Sequence, residues 1–121
     1  AMKTFTELGI VAAASSDAPV VPTDPLIGIQ TMVTRKDRLG VDAWPEERIS
    51  VDDAIRAYTV NAAYASFAEG NRGMIRPGFL GDITIFSQDL RASDPAHLID
   101  ARVDYTIIGG VVAWDRASAP S

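Results

Sequence analysis

The stretch that decides the fold is Ile10–Pro19, which reads IVAAASSDAP. Its five apolar residues end at small and turn-forming residues, a pattern typical of a buried parallel strand that is followed by a loop. Loops at the carboxyl ends of such strands carry the chemistry of α/β enzymes, because the strands themselves are packed on both faces. Asp17 lies in this loop and is therefore the first candidate for a metal ligand or a proton carrier.

Helical patterns are predicted on both sides of this strand. Residues Lys3 to Leu8 have the composition of a short helix, and Gly9 would end it as a C-terminal cap. Asp24 followed by a proline is a typical helix start, and the apolar spacing that follows predicts a helix to about Arg35. The first part of the chain therefore alternates helix and strand.

A loop and a longer helix are predicted next. Residues 37–48 combine glycine, proline and mixed charge, as loops do, and Trp44 is the expected packing anchor of this loop. Helical spacing begins at Ser50 and continues to about Phe67. Because several small residues lie along this helix, other elements should pack closely on more than one of its sides.

The second half of the chain has the pattern of an antiparallel β unit. Residues 82–86 alternate as a strand, and a short helical turn is predicted over residues 94–99. Gly109-Gly110 separates two apolar runs, which predicts a tight hairpin of Val103–Ile108 with Val111–Trp114.

These elements divide the chain into three ranges. Residues 1–70 carry βα-type elements, residues 71–116 form a small antiparallel β portion, and residues 117–121 are predicted to be a disordered tail. A single parallel strand cannot make a sheet, since its backbone needs neighbours on both edges. The predicted fold class is therefore an α/β fragment.

Composition excludes several classes of function. The 121 residues carry a net charge of -5 without a basic cluster longer than residues 35–38, so neither nucleic acid nor an anionic membrane is an expected partner. The absence of cysteine excludes thiolate metal sites and cysteine nucleophiles. No apolar stretch is long enough for a membrane helix and no signal-peptide pattern is present, so a cytoplasmic location is expected.

Several motifs in a fixed order resemble the C-terminal end of the amidohydrolase superfamily. They are Ser16–Val20, Asp24–Leu26, Ser50–Ala65 and Gly73–Ile83, and the final hairpin around Gly109 is similar as well. The branch that the motifs resemble most is that of the N-substituted formamide deformylase-like enzymes. The resemblance covers nearly the whole chain but only the last part of the family's fold.

The resemblance implies both an architecture and an activity. Residues 1–70 would be the last βα part of a TIM-type metallohydrolase barrel, with strand eight ending at Asp17, and residues 71–116 would belong to an accessory β-sandwich. Enzymes of this kind hydrolyse amide-type C–N bonds of small molecules with one or two divalent metals, and zinc is the expected ion. Asp17 would be a metal ligand and the catalytic proton carrier.

The further ligands that a metal site requires are not found in this sequence. A catalytic zinc site takes about three protein ligands, whereas the single histidine, His97, lies in the β half, where the resemblance assigns no ligand. His97 is expected to be a surface histidine, and the chain alone is expected to bind no metal and to be inactive. The alternative role for Asp17 is that of a bare loop carboxylate that caps the turn before Pro19.

A second hypothesis is a non-catalytic structural or oligomerising remnant of such an enzyme. The strand Ile10–Ala14 and the small-residue face of the helix Val51–Phe67 would be uncovered in a monomer. Exposed strand edges and apolar patches promote association. A homo-oligomer is therefore expected, in which chains can exchange strands or helices.

Overall fold

The computed structural model describes residues 1–118, which form a small α/β unit of four α-helices followed by three β-strands. The elements are α1 (Met2–Glu7), α2 (Pro25–Thr34), α3 (Val51–Tyr58), α4 (Val60–Ala65), β1 (Ile83–Phe86), β2 (Val103–Ile108) and β3 (Val111–Asp115). Short 3-10 helices occupy Pro45–Glu47 and Pro95–Asp100. Of the predicted tail, residues 119–121 lie outside the described residues, and residues 117 and 118 form a turn on Asp115.

The predicted starts of α2 and α3 are confirmed, because both depend on local capping. The Asp24 carboxylate accepts a hydrogen bond from the Leu26 N–H at 2.9 Å, which leaves Pro25 at the first helical position. At α3 the Ser50 hydroxyl accepts from the Asp53 N–H at 3.0 Å. Helix α1 also ends as predicted, with Gly9 in a left-handed conformation at φ 70°.

The predicted single helix from Ser50 to Phe67 is instead two helices. Thr59 has φ -120° and ψ -84°, outside the helical region, and it separates α3 from α4. Its hydroxyl donates to the Ile55 carbonyl at 2.8 Å. Such a bond to the preceding turn often bends a helix. Thr31 makes the same bond to the Ile27 carbonyl within the unbroken α2, so the bond accompanies the break at Thr59 but does not cause it alone.

The predicted parallel strand Ile10–Ala14 is not a strand in this structure. No regular element is assigned from residue 10 to residue 17, and no strand lies beside this segment within residues 1–118. Its contacts are with helices instead, since the Ala14 N–H donates to the Ala57 carbonyl at 3.0 Å. The prediction was wrong because a strand forms only beside a neighbouring strand, and residues 1–118 place none beside this segment.

The three-stranded antiparallel sheet confirms the predicted hairpin. The strand order is β1-β2-β3, and β2 turns into β3 through Gly109-Gly110, with φ values of 58° and 81°. A two-residue turn of this type needs positive φ at both positions, which glycine adopts without strain. The turn is also tied to the residues just before β1, because the Gly110 N–H donates to the Gly81 carbonyl at 2.9 Å.

One hydrophobic cluster joins the helical and β portions. Helix α2 packs against α3 on one side and against the 3-10 helix Pro95–Asp100 on another. The ranges 1–70 and 71–116 therefore share a core, and their assignment to different parts of a larger enzyme stays a prediction. The buried members of the cluster are Leu26, Ile29, Met32, Ile49, Ala54, Ala57, Leu90, Leu98 and Ala101.

Trp44 is not the packing anchor of its loop, contrary to the prediction. Its backbone is left-handed, with φ 52°, and its side chain is 69% exposed. Polar contacts and Ile49 hold this region instead: the Arg35 Nε donates to the Ala43 carbonyl at 3.0 Å, and the Arg48 Nε donates to the Thr34 carbonyl at 2.8 Å. Ile49 supplies the buried apolar contact.

Within residues 1–118, no helix has the length and apolar character that crossing a membrane requires. The longest helix, α2, has 10 residues.

Gly28 marks the close approach of α2 to Tyr58, and Gly28→Ala should destabilise the protein. A Cβ at this position would overlap the Tyr58 hydroxyl and lie 3.0 Å from the ring carbon Cζ. Overpacking costs about 1–3 kcal/mol, which exceeds the gain of about 1 kcal/mol from alanine's helix propensity. A net loss of about 1 kcal/mol in the free energy of unfolding is expected from urea titration.

The matched control for this prediction is Gly70→Ala, since a Cβ on Gly70 would meet nothing within 4 Å. This variant should raise the free energy of unfolding by about 0.4–1 kcal/mol, the opposite sign to Gly28→Ala. Adding Tyr58→Phe to Gly28→Ala should restore part of the lost stability. Equal stability of the Gly28 and Gly70 variants would show that Tyr58 moves aside without cost.

Candidate functional site

Asp17 lies at the exposed end of the segment Ile10–Asp17 and has a left-handed backbone, with φ 53°. Aspartate tolerates this conformation better than most residues. Its N–H donates to the Ser15 hydroxyl at 3.4 Å, and its carbonyl accepts from the Val20 N–H at 3.0 Å. Among residues 1–118 its carboxylate has no hydrogen-bond or ion-pair partner, so it does not cap the turn and is an unpaired loop carboxylate in this structure.

The two sides of this segment differ in exposure. From residue 11 to residue 17 the exposure alternates with a period of two, as it does when side chains of an extended chain point to opposite sides. The half-buried side includes Ala14, which packs against the hydrophobic core. The other side is exposed to solvent and carries Val11, Ala13, Ser15 and Asp17.

Two hydrogen bonds anchor the segment to the helices that follow it much later in the chain. The Asn61 side chain, in the first turn of α4, donates through Nδ2 to the Ala12 carbonyl at 2.9 Å. The Ala14 N–H donates to the Ala57 carbonyl, near the end of α3. The position of Asp17 therefore depends on the pair of helices α3 and α4.

An open and mainly apolar groove of about 440 Å³ lies beside the segment, between residues 13–16 and helix α2. Its walls include Ser15, Ser16 and the half-buried Tyr58. Burial raises the pKa of the Tyr58 hydroxyl, and the negative charge of Asp24 raises it further. Tyr58 is therefore a neutral hydroxyl at pH 7 that can donate a hydrogen bond.

His97 is a surface residue, as predicted. It lies in the 3-10 helix Pro95–Asp100, its side chain is exposed, and its Nδ1 is 3.0 Å from the Asp100 carboxylate. Within the described part of the chain, no cluster of three or more histidine or acidic side chains could hold a metal ion. The structure therefore does not join His97 and Asp17 in a metal centre.

The sequence pattern predicts no functional role for Asn61 or Tyr58. One signal could have drawn attention to Asn61, because it is an amide among the small apolar residues of a packed helix. Amides that are partly buried among apolar residues usually make specific hydrogen bonds. The identity of its partner, 49 residues away, could not be read from the sequence.

Known proteins provide independent information about this chain. Residues 1–113 match the amidohydrolase family. The protein YtcJ of Bacillus subtilis (strain 168), which is named as an amidohydrolase, is 38% identical over 120 residues, covering 97% of this chain and 23% of YtcJ. The N-substituted formamide deformylase of Arthrobacter pascens is 25% identical over 118 residues, covering 98% of this chain and 22% of that enzyme.

A solved structure agrees with these matches. The crystal structure of an amidohydrolase from Thermotoga maritima MSB8 has a TM-score of 0.66 and 25% identity, and the match covers 95% of this chain and 26% of that one. The chain thus spans about a quarter of the length of each of these three relatives. The deformylase-like branch stays a prediction. By sequence and by structural likeness, the chain belongs to the amidohydrolase family.

Proposed function

We propose that this chain acts as the C-terminal section of a metal-dependent amidohydrolase that hydrolyses amide-type C–N bonds of small molecules. The observation that carries the proposal is the position of Asp17. Its carboxylate lies at the exposed end of an extended segment, on the side that does not face the core, and makes no hydrogen bond within residues 1–118. A carboxylate placed in this way is available to a substrate or a metal.

The segment that carries Asp17 also supports a barrel origin. Helices α3 and α4 lie beside it, as the outer helices of a TIM-type barrel lie beside its strands. In this structure they also hydrogen-bond to it at Ala12 and Ala14. The N–H groups of Val11 and Ala13 have no hydrogen-bond acceptor among residues 1–118. We infer that the edge of residues 10–14 that carries these two free N–H groups pairs with a neighbouring strand in the whole enzyme, and that residues 71–116 form part of its β-sandwich.

A divalent metal, with zinc as the expected ion, is part of this proposal, but residues 1–118 do not fit a complete metal site. They supply one suitable carboxylate, Asp17, whereas a catalytic zinc takes about three protein ligands. The remaining ligands would come from outside these residues. Asp17 is proposed as one oxygen ligand and as the group that carries a proton during hydrolysis.

The proposal can be tested by comparing the isolated chain with a longer polypeptide that contains it. The longer protein should bind zinc stoichiometrically and hydrolyse N-substituted formamides, which are suitable first substrates because one relative is named as their deformylase. The isolated chain should do neither. Metal analysis and product detection would measure both properties, and a longer protein without metal or hydrolysis would contradict the proposal.

A structural or oligomerising role is the second candidate. Ile10 and Val11 are about half exposed, and the backbone beside them has no strand partner within residues 1–118. Contact with a second copy would cover these apolar groups and unpaired edges. Light scattering of the isolated chain should therefore report a homo-oligomer, whereas a monodisperse monomer would exclude this role.

A further inference from the structure

We propose that Asn61 is a positioning residue that holds the segment Ile10–Asp17 in register against helices α3 and α4. This inference rests on the proposed function, because the register determines where the Asp17 carboxylate lies. The Asn61 side chain is half-buried, and its Nδ2 donates to the Ala12 carbonyl at 2.9 Å across 49 residues of sequence. Of the two hydrogen bonds that anchor the segment to the helices, this is the one made by a side chain.

The helix break at Thr59 makes this anchor possible. In a continuous α-helix the Ala57 carbonyl would accept the N–H of residue 61. The break interrupts that pairing, and the Ala57 carbonyl instead accepts the Ala14 N–H at 3.0 Å. One anchoring group therefore lies before the break and the other, Asn61, lies after it.

The two anchored residues define a register. Ala12 and Ala14 are two positions apart, so in an extended segment their bonded backbone groups point to the same edge. A slip of one residue would turn every side chain to the opposite side and move Asp17 towards the core. Asp17 is three residues after Ala14, a span of roughly 10 Å in an extended chain. Fixing the position of Ala14 therefore limits the positions that the Asp17 carboxylate can take.

The test begins with hydrogen exchange on the chain itself. Asn61→Ala removes the donor, and Asn61→Asp places a carboxylate against the Ala12 carbonyl. Each variant should raise the exchange rate of the Ala14 N–H roughly five- to tenfold, as expected for loss of a neighbouring hydrogen bond. The Ala63 N–H, which donates to the Thr59 carbonyl at 2.9 Å, should change by less than about twofold if α4 is intact.

Asn71→Asp is the matched control, because it makes the same change of charge at an exposed asparagine. It should leave exchange at Ala14 unchanged. Unchanged exchange at Ala14 in the Asn61→Ala variant would overturn the proposal. Equal acceleration at Ala14 and Ala63 would also overturn it, because Asn61 would then only stabilise α4.

Steady-state kinetics of the longer protein distinguish the positioning of Asp17 from a purely structural role of Asn61. Asn61→Ala should lower kcat by about 10- to 100-fold with KM nearly unchanged, since a small misplacement of a reacting group has effects of this size. Asn61→Gln keeps an amide donor and should restore part of the loss. A rise in KM with unchanged kcat would contradict a role in positioning Asp17.

Failure of the proposed function would be recognised separately. In that case Asp17→Asn would leave hydrolysis unchanged, whereas the exchange measurements at Ala14 do not depend on catalysis. If the Asn61→Ala variant showed unchanged exchange at Ala14 while hydrolysis still depended on Asp17, only the proposed role of Asn61 would be contradicted.

Discussion

Replacing Asp17 by asparagine should lower kcat of an enzyme that contains this chain by about 10²- to 10⁴-fold, the range typical for loss of a general acid or base. Asparagine keeps the shape of the side chain but cannot carry the proton. The stability of the fold should be unchanged, because the carboxylate makes no hydrogen bond or ion pair within residues 1–118. Steady-state kinetics with an N-substituted formamide and thermal unfolding would measure the two effects.

Asp100→Asn is the matched control for this experiment. Asp100 is exposed, and its carboxylate is 3.0 Å from the His97 ring on the protein surface. The substitution should leave both kcat and the unfolding temperature unchanged. If Asp17→Asn retained activity within tenfold of the unmodified enzyme, the catalytic role of Asp17 would be wrong.

Leu98→Ala should lower the free energy of unfolding by about 2–5 kcal/mol. Leu98 is fully buried, with 0% exposure, and belongs to the 3-10 helix Pro95–Asp100 that packs against α2. Truncation removes apolar contacts and leaves a cavity between the helical and β portions. Urea unfolding followed by circular dichroism would measure the loss.

Leu39→Ala provides the control for the burial effect. Leu39 is 87% exposed, so its truncation should change the free energy of unfolding by less than about 0.5 kcal/mol. Because Leu98 shares a core with α2, the helices and the sheet should unfold in one transition. Two separate transitions, of which Leu98→Ala shifts only one, would show that the shared core does not couple them.

Local signals account for the parts of the fold that could be predicted from the sequence. Asp24 and Ser50 cap their helices through neighbours two or three residues away, and Gly109-Gly110 sets the hairpin through its own backbone. Such contacts depend on adjacent residues only. The break at Thr59 was missed because apolar spacing continues through it, and spacing does not report a local change of backbone angle.

Long-range contacts explain what could not be predicted. Apolar residues 10–14 have the composition of a strand, but a strand forms only where another chain segment offers its edge. For the candidate site, the chain position of Asp17 was evident from the apolar run before it. The anchor from Asn61 to Ala12 joins residues 49 apart, and no local pattern encodes such a pairing.

The outward position of Trp44 has a consequence for spectroscopy. Both tryptophans, Trp44 and Trp114, are substantially exposed in the folded chain, at 69% and 40%. The indole ring of Trp44 is therefore already largely in contact with water, so unfolding should shift its fluorescence emission only slightly, whereas Trp114 is the more shielded of the two. Covering either ring by another protein surface would shift the emission to shorter wavelengths. The fluorescence of Trp44 is thus better suited to reporting association than folding.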